Sequence, residues 1–176
     1  MQIVILQFPK EKKHPLGTAR FASEFFPEAV VRVGLSWANL RKATGVESAD
    51  PKKWGVLHLA NPRGARCDTQ PELAALDGLI ALDGTWSQAK TLWWRNPWLL
   101  RLKRVALQPA AASVYGALRP EPRPECVSTL EALAYAIGTA RGDAELAARV
   151  AAGLKAKLHG GAALAAAAPK SPASIS

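Results

Sequence analysis

The residues best suited to chemistry lie between positions 82 and 90, where one acidic side chain separates an apolar run from a polar turn. Asp83 follows the apolar run, and partial burial at the end of a strand would raise the basicity of its carboxylate. Gly84 allows a ligand to approach the backbone, and Trp86 offers a flat surface for a nucleobase or an adenine ring. The structural alternative is that Asp83, assisted by Thr85, caps the following helix, and the spacing alone favours neither interpretation.

Two more polar, turn-rich segments follow apolar runs, at residues 9–18 and 60–64. Ligands of open α/β sheets bind beyond the carboxyl ends of the strands, which makes such segments candidates for a site. In the first segment, Glu11 stands among lysines, which is typical of a solvated charge. His14 precedes Pro15, and we expect a loop or packing role for this single histidine.

A sheet must position these segments, and five short apolar runs predict its strands. The runs are rich in Val, Ile and Leu and are bounded by Pro, Gly or charged residues. Their apolar character is continuous rather than alternating, which is typical of strands covered on both faces in a parallel sheet. The predicted strands are Ile3–Gln7, Ala29–Val33, Val56–Leu59, Leu79–Leu82 and Val105–Leu107.

Helical patterns fill several of the intervals between these strands and the region after them. They cover Thr18–Phe26, Ser87–Arg95, Ser128–Ala140 and Asp143–His159. Thr18 and Asp143 are the predicted caps of the first and last helix. Glu131 follows Ser128 at capping-box spacing, so we expect a capping partner rather than a catalyst. The alternation of strands and helices predicts an α/β fold, a mainly parallel sheet flanked by helices.

The length of 176 residues fits a single domain, which we assign to residues 1–159. The composition of residues 160–176 predicts a low-complexity tail without tertiary structure. No apolar run reaches the ~18 residues of a membrane span, and the N-terminus lacks the layout of a signal peptide, so we expect a cytoplasmic protein. Cys67 and Cys126 stand far apart, which argues against a cysteine zinc site and against a disulfide framework.

The chain carries 23 basic and 14 acidic residues, a formal net charge of +9 that favours an anionic partner, either nucleic acid or membrane. Residues 86–108 contain basic residues and no acid, together with most of the tryptophans. Trp93, Trp94 and Trp98 either stack on unpaired bases or belong to the core, and the adjacent pair cannot both point inward on a helix. We predict phosphate contacts for five basic residues of this stretch. They are Lys90, Arg95, Arg101, Lys103 and Arg104.

Three segments, in the same order, resemble the DTW-domain family. Residues 82–89 are similar to its name-giving motif, with Asp83, Thr85 and Trp86 in place. Residues 6–19 are similar to its Pro-x-Glu segment, although Gly17 stands where Asn is usual. Residues 128–132 are similar to its Ser-Thr-x-Glu-Ala segment. The resemblance extends over roughly residues 3–140.

The resemblance implies a tRNA-uridine aminocarboxypropyltransferase. Such an enzyme transfers the 3-amino-3-carboxypropyl group of S-adenosyl-L-methionine to N3 of a uridine in tRNA and releases methylthioadenosine. Kinship with SPOUT-type RNA-modifying enzymes implies a C-terminal trefoil knot, a rare topology. The alternatives are a SPOUT-type methyltransferase and a catalytically inactive RNA-binding module. Monomer and homodimer both remain open, and we expect no metal and no membrane partner.

The resemblance also implies roles for particular residues. Asp83 is the candidate base that removes the N3 proton, or a residue that only orients the donor. Many members carry an N-terminal cysteine segment that binds zinc, and no such segment precedes the first predicted strand. The Ser-x-Tyr-x-x-Arg segment of the family has one extra residue here. The implied donor-binding residues are Leu82, Gly84, Thr85, Trp86, Val127, Ser128 and Thr129, and the implied loop residues are Glu11, Thr18, Tyr115 and Arg119.

Overall fold

The computed structural model describes residues 1–14, 17–59, 70–107, 114 and 127–167. Within these ranges, five strands form one sheet in the order β2-β1-β4-β3-β5, and all neighbouring strands run parallel. This arrangement confirms the predicted α/β fold with its parallel sheet. The strands are β1 Gln2–Gln7, β2 Ala29–Val33, β3 Trp54–Leu59, β4 Gly78–Asp83 and β5 Lys103–Leu107.

Each face of the sheet carries its own apolar core, because alternate side chains of a strand point to opposite faces. On one face, Ile3, Ile5 and Leu79 pack with residues of α5 and α6, and we call this side the α5 face. On the other, Val4 and Ile80 pack with residues of α2 and of the 3₁₀ turn at 97–101. The helices are α1 Ala22–Phe25, α2 Leu40–Thr44, α3 Gln70–Ala74, α4 Trp86–Arg95, α5 Thr129–Arg141 and α6 Leu146–Ala167.

The connections from the two central strands leave in opposite directions. The chain passes from β1 to its neighbour β2 on one side, and from β4 across β3 to β5 on the other. The first connection packs on the α5 face and the second contributes to the opposite core. Such a reversal opens a crevice outside the carboxyl ends of the central strands, which is where open α/β sheets bind ligands.

Two helix predictions need correction. The segment Thr18–Phe26 is a 3₁₀ turn, Thr18–Phe21, followed by the short α1. Thr18 is not its cap, because Gly17 occupies that position and the Thr18 side chain is buried. The prediction relied on local spacing, whereas this segment turns inward to cover the α5 face.

The last helix also differs from its prediction. It begins at Leu146 rather than at Asp143, whose carboxylate accepts a hydrogen bond from the Glu145 N–H at 3.2 Å. It continues through Ala167, beyond the predicted end at His159. The division of the chain at residue 159 stays a prediction, and residues 168–176 lie outside the described ranges.

The tryptophans divide between core and surface. Trp98 is buried, and its Nε1 donates to the Trp37 carbonyl at 2.9 Å. Trp93 is half-buried against the same core, while the adjacent Trp94 is 71% exposed. The prediction that only one of the adjacent pair points inward is confirmed. Across the described helices, none is both long and apolar enough to cross a membrane.

Candidate functional site

A buried carboxylate lies at the carboxyl ends of the two central strands. Asp83, the last residue of β4, is 4% exposed. Its Oδ2 accepts a hydrogen bond from Gln7 Nε2 at 2.8 Å, and its Oδ1 accepts one from Thr129 Oγ1 at 2.7 Å. Hydrogen bonds to an ionised group are short and strong, so these two contacts fix the orientation of the carboxylate. We call these three side chains the Asp83 cluster.

The strand register and the first turn of α5 assemble this cluster. Gln7 and Asp83 are register partners at the carboxyl ends of β1 and β4. Alternation places both on the α5 face, because Ile5 and Ala81, two residues earlier, belong to the core of that face. Thr129 is the first residue of α5, and the positive end of the helix dipole favours a carboxylate there.

A capping box begins α4 and resolves the alternative interpretation of Asp83. Thr85 Oγ1 accepts from the Gln88 N–H at 3.4 Å, and Gln88 Oε1 accepts from the Thr85 N–H at 2.7 Å. The cap is therefore Thr85, while the Asp83 side chain is directed to Gln7 and Thr129. A Cβ at Gly84 would lie 2.9 Å from the Cβ and Oε1 of Gln88, so this box requires glycine before the cap.

A second capping box begins α5, as its sequence predicts. Glu131 Oε2 accepts from the Ser128 N–H at 2.8 Å, and the Glu131 N–H donates to Ser128 Oγ at 3.3 Å. Glu131 Oε1 also accepts from the Val114 N–H at 2.9 Å. The structural interpretation of Glu131 is confirmed, and its carboxylate additionally ties Val114 to the helix.

The predicted loop residues Glu11 and Thr18 are both buried. Glu11 is 3% exposed, which excludes a freely solvated charge. Thr18 is 1% exposed, and within the described ranges its Oγ1 has no hydrogen-bond partner. Glu11 and Gln7 line one cavity of about 470 Å³ beside β2. The structure therefore brings Glu11 to the neighbourhood of the Asp83 cluster.

The five predicted phosphate-binding cations are all exposed, yet they are not gathered around Asp83. Lys90 lies on α4, which starts at the carboxyl edge of the sheet. Lys103 begins β5 and pairs in register with Gly55, at the opposite edge. The stretch therefore runs down one side of the molecule. None of the five forms an ion pair with a residue in the described ranges, and the Arg104 guanidinium lies 5.6 Å from the Trp93 ring centroid.

The other predicted site residues differ in their burial. Trp86 is half exposed at the start of α4, and Leu82 is partly buried against the core opposite the α5 face. Val127 is half-buried before the Ser128 cap. Tyr115 and Arg119 lie outside the described residues. Among the described residues, no three His, Cys, Asp or Glu side chains are grouped in a way that could hold a metal ion.

Sequence reasoning missed Gln7 as a site residue. The available signal was a polar side chain ending an otherwise apolar buried strand. Such a residue needs a hydrogen-bond partner, because burying an unpaired amide is costly. The partner, Asp83, stands 76 positions away, and only the register of β1 against β4 reveals it.

Comparison with known proteins identifies the family of the chain. The DTW domain model matches residues 1–159. The chain belongs to the DTW-domain family. The curated relatives include a tRNA-uridine aminocarboxypropyltransferase 2 from Drosophila melanogaster, 31% identical over 147 residues, covering 82% of this chain and 58% of that protein. The protein of the same name from Mus musculus is 41% identical over 143 residues, covering 77% of this chain and 46% of that protein.

A Macaca fascicularis protein with this name is 30% identical over 141 residues, covering 77% of this chain and 46% of its own. This DTW-family chain therefore spans about half the length of the curated relatives it matches. No solved structure matches the chain.

Proposed function

We propose that this chain transfers the 3-amino-3-carboxypropyl group of S-adenosyl-L-methionine to N3 of a uridine in tRNA, releasing methylthioadenosine. The observation that carries the proposal is the Asp83 cluster, a fixed carboxylate at the carboxyl ends of β1 and β4. The names of the curated relatives support the same reaction and the same acceptor. The +9 charge is consistent with an RNA partner.

The donor-binding residues fit the edge of the sheet at which Asp83 lies. Two helix N-termini, those of α4 and α5, begin at the residues assigned to the donor. A helix N-terminus attracts a carboxylate, so Ser128 and Thr129 would hold the amino-acid end of the donor. The half-exposed Trp86 ring would stack on its adenine. When bound, the donor supplies a γ-carbon activated by its sulfonium, a good leaving group.

Asp83 is the proposed base of the reaction. The N3–H of uridine must lose its proton as N3 attacks the γ-carbon, and a carboxylate held in a fixed orientation is a suitable group to accept it. The side chains of Thr129 and Gln7 act as positioning groups, because they hold Asp83. Enclosure excludes water from the carboxylate, which strengthens its interaction with the reacting group.

We also propose that tRNA lies along α4 and the basic stretch that follows it. Lys90 and Arg95 project from this helix into solvent, and Trp94 is 71% exposed beside them. Exposed aromatic rings stack on unpaired bases, and cations without protein partners bind phosphates. The path leads from the Asp83 edge toward Lys103 at the other edge of the sheet.

The finer fold assignment, a SPOUT-like chain with a C-terminal trefoil knot, is part of the same proposal. The parallel sheet and its non-sequential strand order support it. A crystal structure of the protein tests it directly. We expect the C-terminal part of the chain to thread through a loop, and an unthreaded path would contradict the assignment.

Transfer of two separate labels tests the reaction. Unmodified tRNA transcripts are incubated with the protein and donor labelled either in the carboxyl carbon or in the methyl group. We expect the carboxyl label in tRNA and the methyl label in methylthioadenosine, with mass spectrometry locating the added group on uridine. Asp83→Asn is the matched control. Methyl label in tRNA would indicate the methyltransferase, and binding without transfer of either label would indicate the inactive RNA-binding module. Each of these outcomes contradicts the proposal.

A further inference from the structure

We propose that the cavity between β2 and the segments 11–14 and 17–23 holds the base of the acceptor uridine, apart from the residues assigned to the donor. This inference rests on the proposed function and gives its acceptor a place. The cavity measures about 470 Å³, within the range of ~300–1,000 Å³ that is typical of small-ligand sites. Sequence reasoning did not find this cavity, since its walls come from separate elements.

The cavity lies on the α5 face, next to the Asp83 cluster. Val31 and Val33 of β2 line it, and they are register partners of Ile5 and Gln7. The turn and helix that follow β1 contribute Glu11, Arg20 and Ser23. These elements border an open space beside the carboxyl ends of β1 and β2, and the two valines are about 40% exposed.

The lining has the chemistry of a site for a flipped nucleobase. Such sites read the edge of a base through hydrogen bonds and hold its faces between apolar side chains. Gln7 and Glu11 are polar and buried, and they supply the hydrogen bonds to the edge of the base. Val31 and Val33 supply the apolar contacts to its faces. The exposed Lys12 and Arg20 also line the cavity and form no ion pair within the described ranges, which suits the phosphates that flank the base.

Gln7 connects the cavity to the reactive carboxylate. It lines the cavity, and its Nε2 donates to Asp83 Oδ2 at 2.8 Å. A base with its polar edge toward Gln7 therefore lies next to the residue that holds Asp83. In the sheet, the cavity lies on the β2 side of β1, whereas the donor residues follow β4 or begin α5. Attack at a carbon requires nucleophile and leaving group on opposite sides, and this separation provides it.

Two valines of the same strand give a matched test. Val33→Trp fills the cavity, while Val30→Trp adds the same ring to the opposite face of β2, at a residue of similar exposure, 40% against 43%. Ser23→Trp fills the cavity from its other wall and serves as a second variant. Each protein is checked for folding by its melting temperature and circular dichroism. Donor affinity is measured by calorimetry with S-adenosyl-L-methionine.

Acceptor contact is measured without turnover, by photo-crosslinking to a tRNA transcript that contains 4-thiouridine. We expect wild-type crosslinks at residues lining the cavity, and their loss in Val33→Trp and Ser23→Trp. In a transfer assay, kcat/KM for tRNA should fall about 100-fold in these variants while donor affinity stays within about twofold. Val30→Trp should resemble the wild type in all three measurements.

Several outcomes would overturn the inference. Loss of donor affinity in both filled variants would assign the cavity to the donor. Crosslinks confined to other surfaces, or equal behaviour of Val33→Trp and Val30→Trp, would remove the base from the cavity. Failure of the wild-type protein to transfer label would count against the proposed function alone, because the crosslinks still report whether a uridine enters the cavity.

Discussion

The Asp83 cluster and the outer surface of α4 are both rich in polar groups, but they are built in opposite ways. In the cluster, both carboxylate oxygens have partners within the protein, and Asp83 is 4% exposed. On α4, Lys90 is exposed without an ion pair to any described residue, and Trp94 is 71% exposed. The first region is organised before a ligand arrives, whereas the second needs a ligand to complete its contacts. Changes in the first should alter rate, and changes in the second should alter affinity.

Replacing Asp83 should have the largest effect. Asp83→Asn keeps the shape of the side chain but removes its charge and basicity. We expect single-turnover transfer to slow by about 10²–10⁴-fold, the usual contribution of a general base, with unchanged tRNA affinity. Calorimetry with the donor separates the two roles of the carboxylate. If Asp83→Asn no longer binds the donor, Asp83 orients the donor instead of accepting the proton.

The Thr129 hydroxyl should have a smaller effect on the same step. Thr129→Val keeps the branched shape and removes the donor to Asp83 Oδ1. Hydrogen bonds to charged groups contribute about 1.5–3 kcal/mol, so we expect kcat to fall at least about tenfold with little change in KM for tRNA. Thr129→Ser retains the hydroxyl and should recover most of the rate. Equal rates for the Val and Ser variants would show that this contact does not position the base.

Neutralising exposed cations within residues 86–108 should change the affinity for tRNA rather than the rate of transfer. The triple change Lys90→Gln, Arg101→Gln and Lys103→Gln removes three exposed charges. We expect tRNA binding to weaken about tenfold or more near 0.1 M salt, and the slope of log affinity against log salt to fall by about three. The single change Lys90→Gln has a matched control in Lys155→Gln, which removes an exposed lysine of α6 on the other face of the sheet. An unchanged salt slope in the triple variant would place the RNA elsewhere.

The exposed ion pair between Arg141 and Glu28 should have the smallest effect of these changes. Arg141 Nη2 donates to Glu28 Oε1 at 2.8 Å. Partial burial raises the pKa of Glu28, but hydrogen bonds from its own backbone N–H and from Arg141 outweigh this and lower the pKa below its ordinary value. A lowered pKa means that the pair stabilises the fold above about pH 4.5 and loses this effect as the pH falls through the lowered pKa.

Arg141→Gln should therefore reduce the free energy of unfolding at pH 7 by less than about 1 kcal/mol, as for other exposed pairs. In acid, once Glu28 is protonated in both proteins, the difference should vanish. Urea unfolding at several pH values measures both, and transfer activity should not change. A stability difference that persists in acid would mean that Arg141 acts through packing rather than charge.

The strands could be predicted because a buried parallel strand has a continuous apolar sequence, as in Ile3–Gln7. The expectation that every strand is covered on both faces is wrong for β2, which lies at the edge of the sheet and is mostly exposed although its sequence is apolar. The start of α5 was predictable as well, because Ser128 and Glu131 are three residues apart. The turn at Thr18 was not, because its shape depends on covering the α5 face. The partnership of Gln7 with Asp83 and the cavity beside β2 depend on strand order, which no local spacing encodes.

The requirement for Gly84 before the cap of α4 bears on how diverged sequences should be judged. Gly84, Thr85 and Gln88 are needed together to begin the helix, whatever reaction the protein performs. A descendant that has lost its chemistry would still be under selection to keep them. Retention of the glycine and threonine is thus evidence of folding. Under the proposed function, the diagnostic of a working enzyme is the joint presence of Gln7, Asp83 and Thr129.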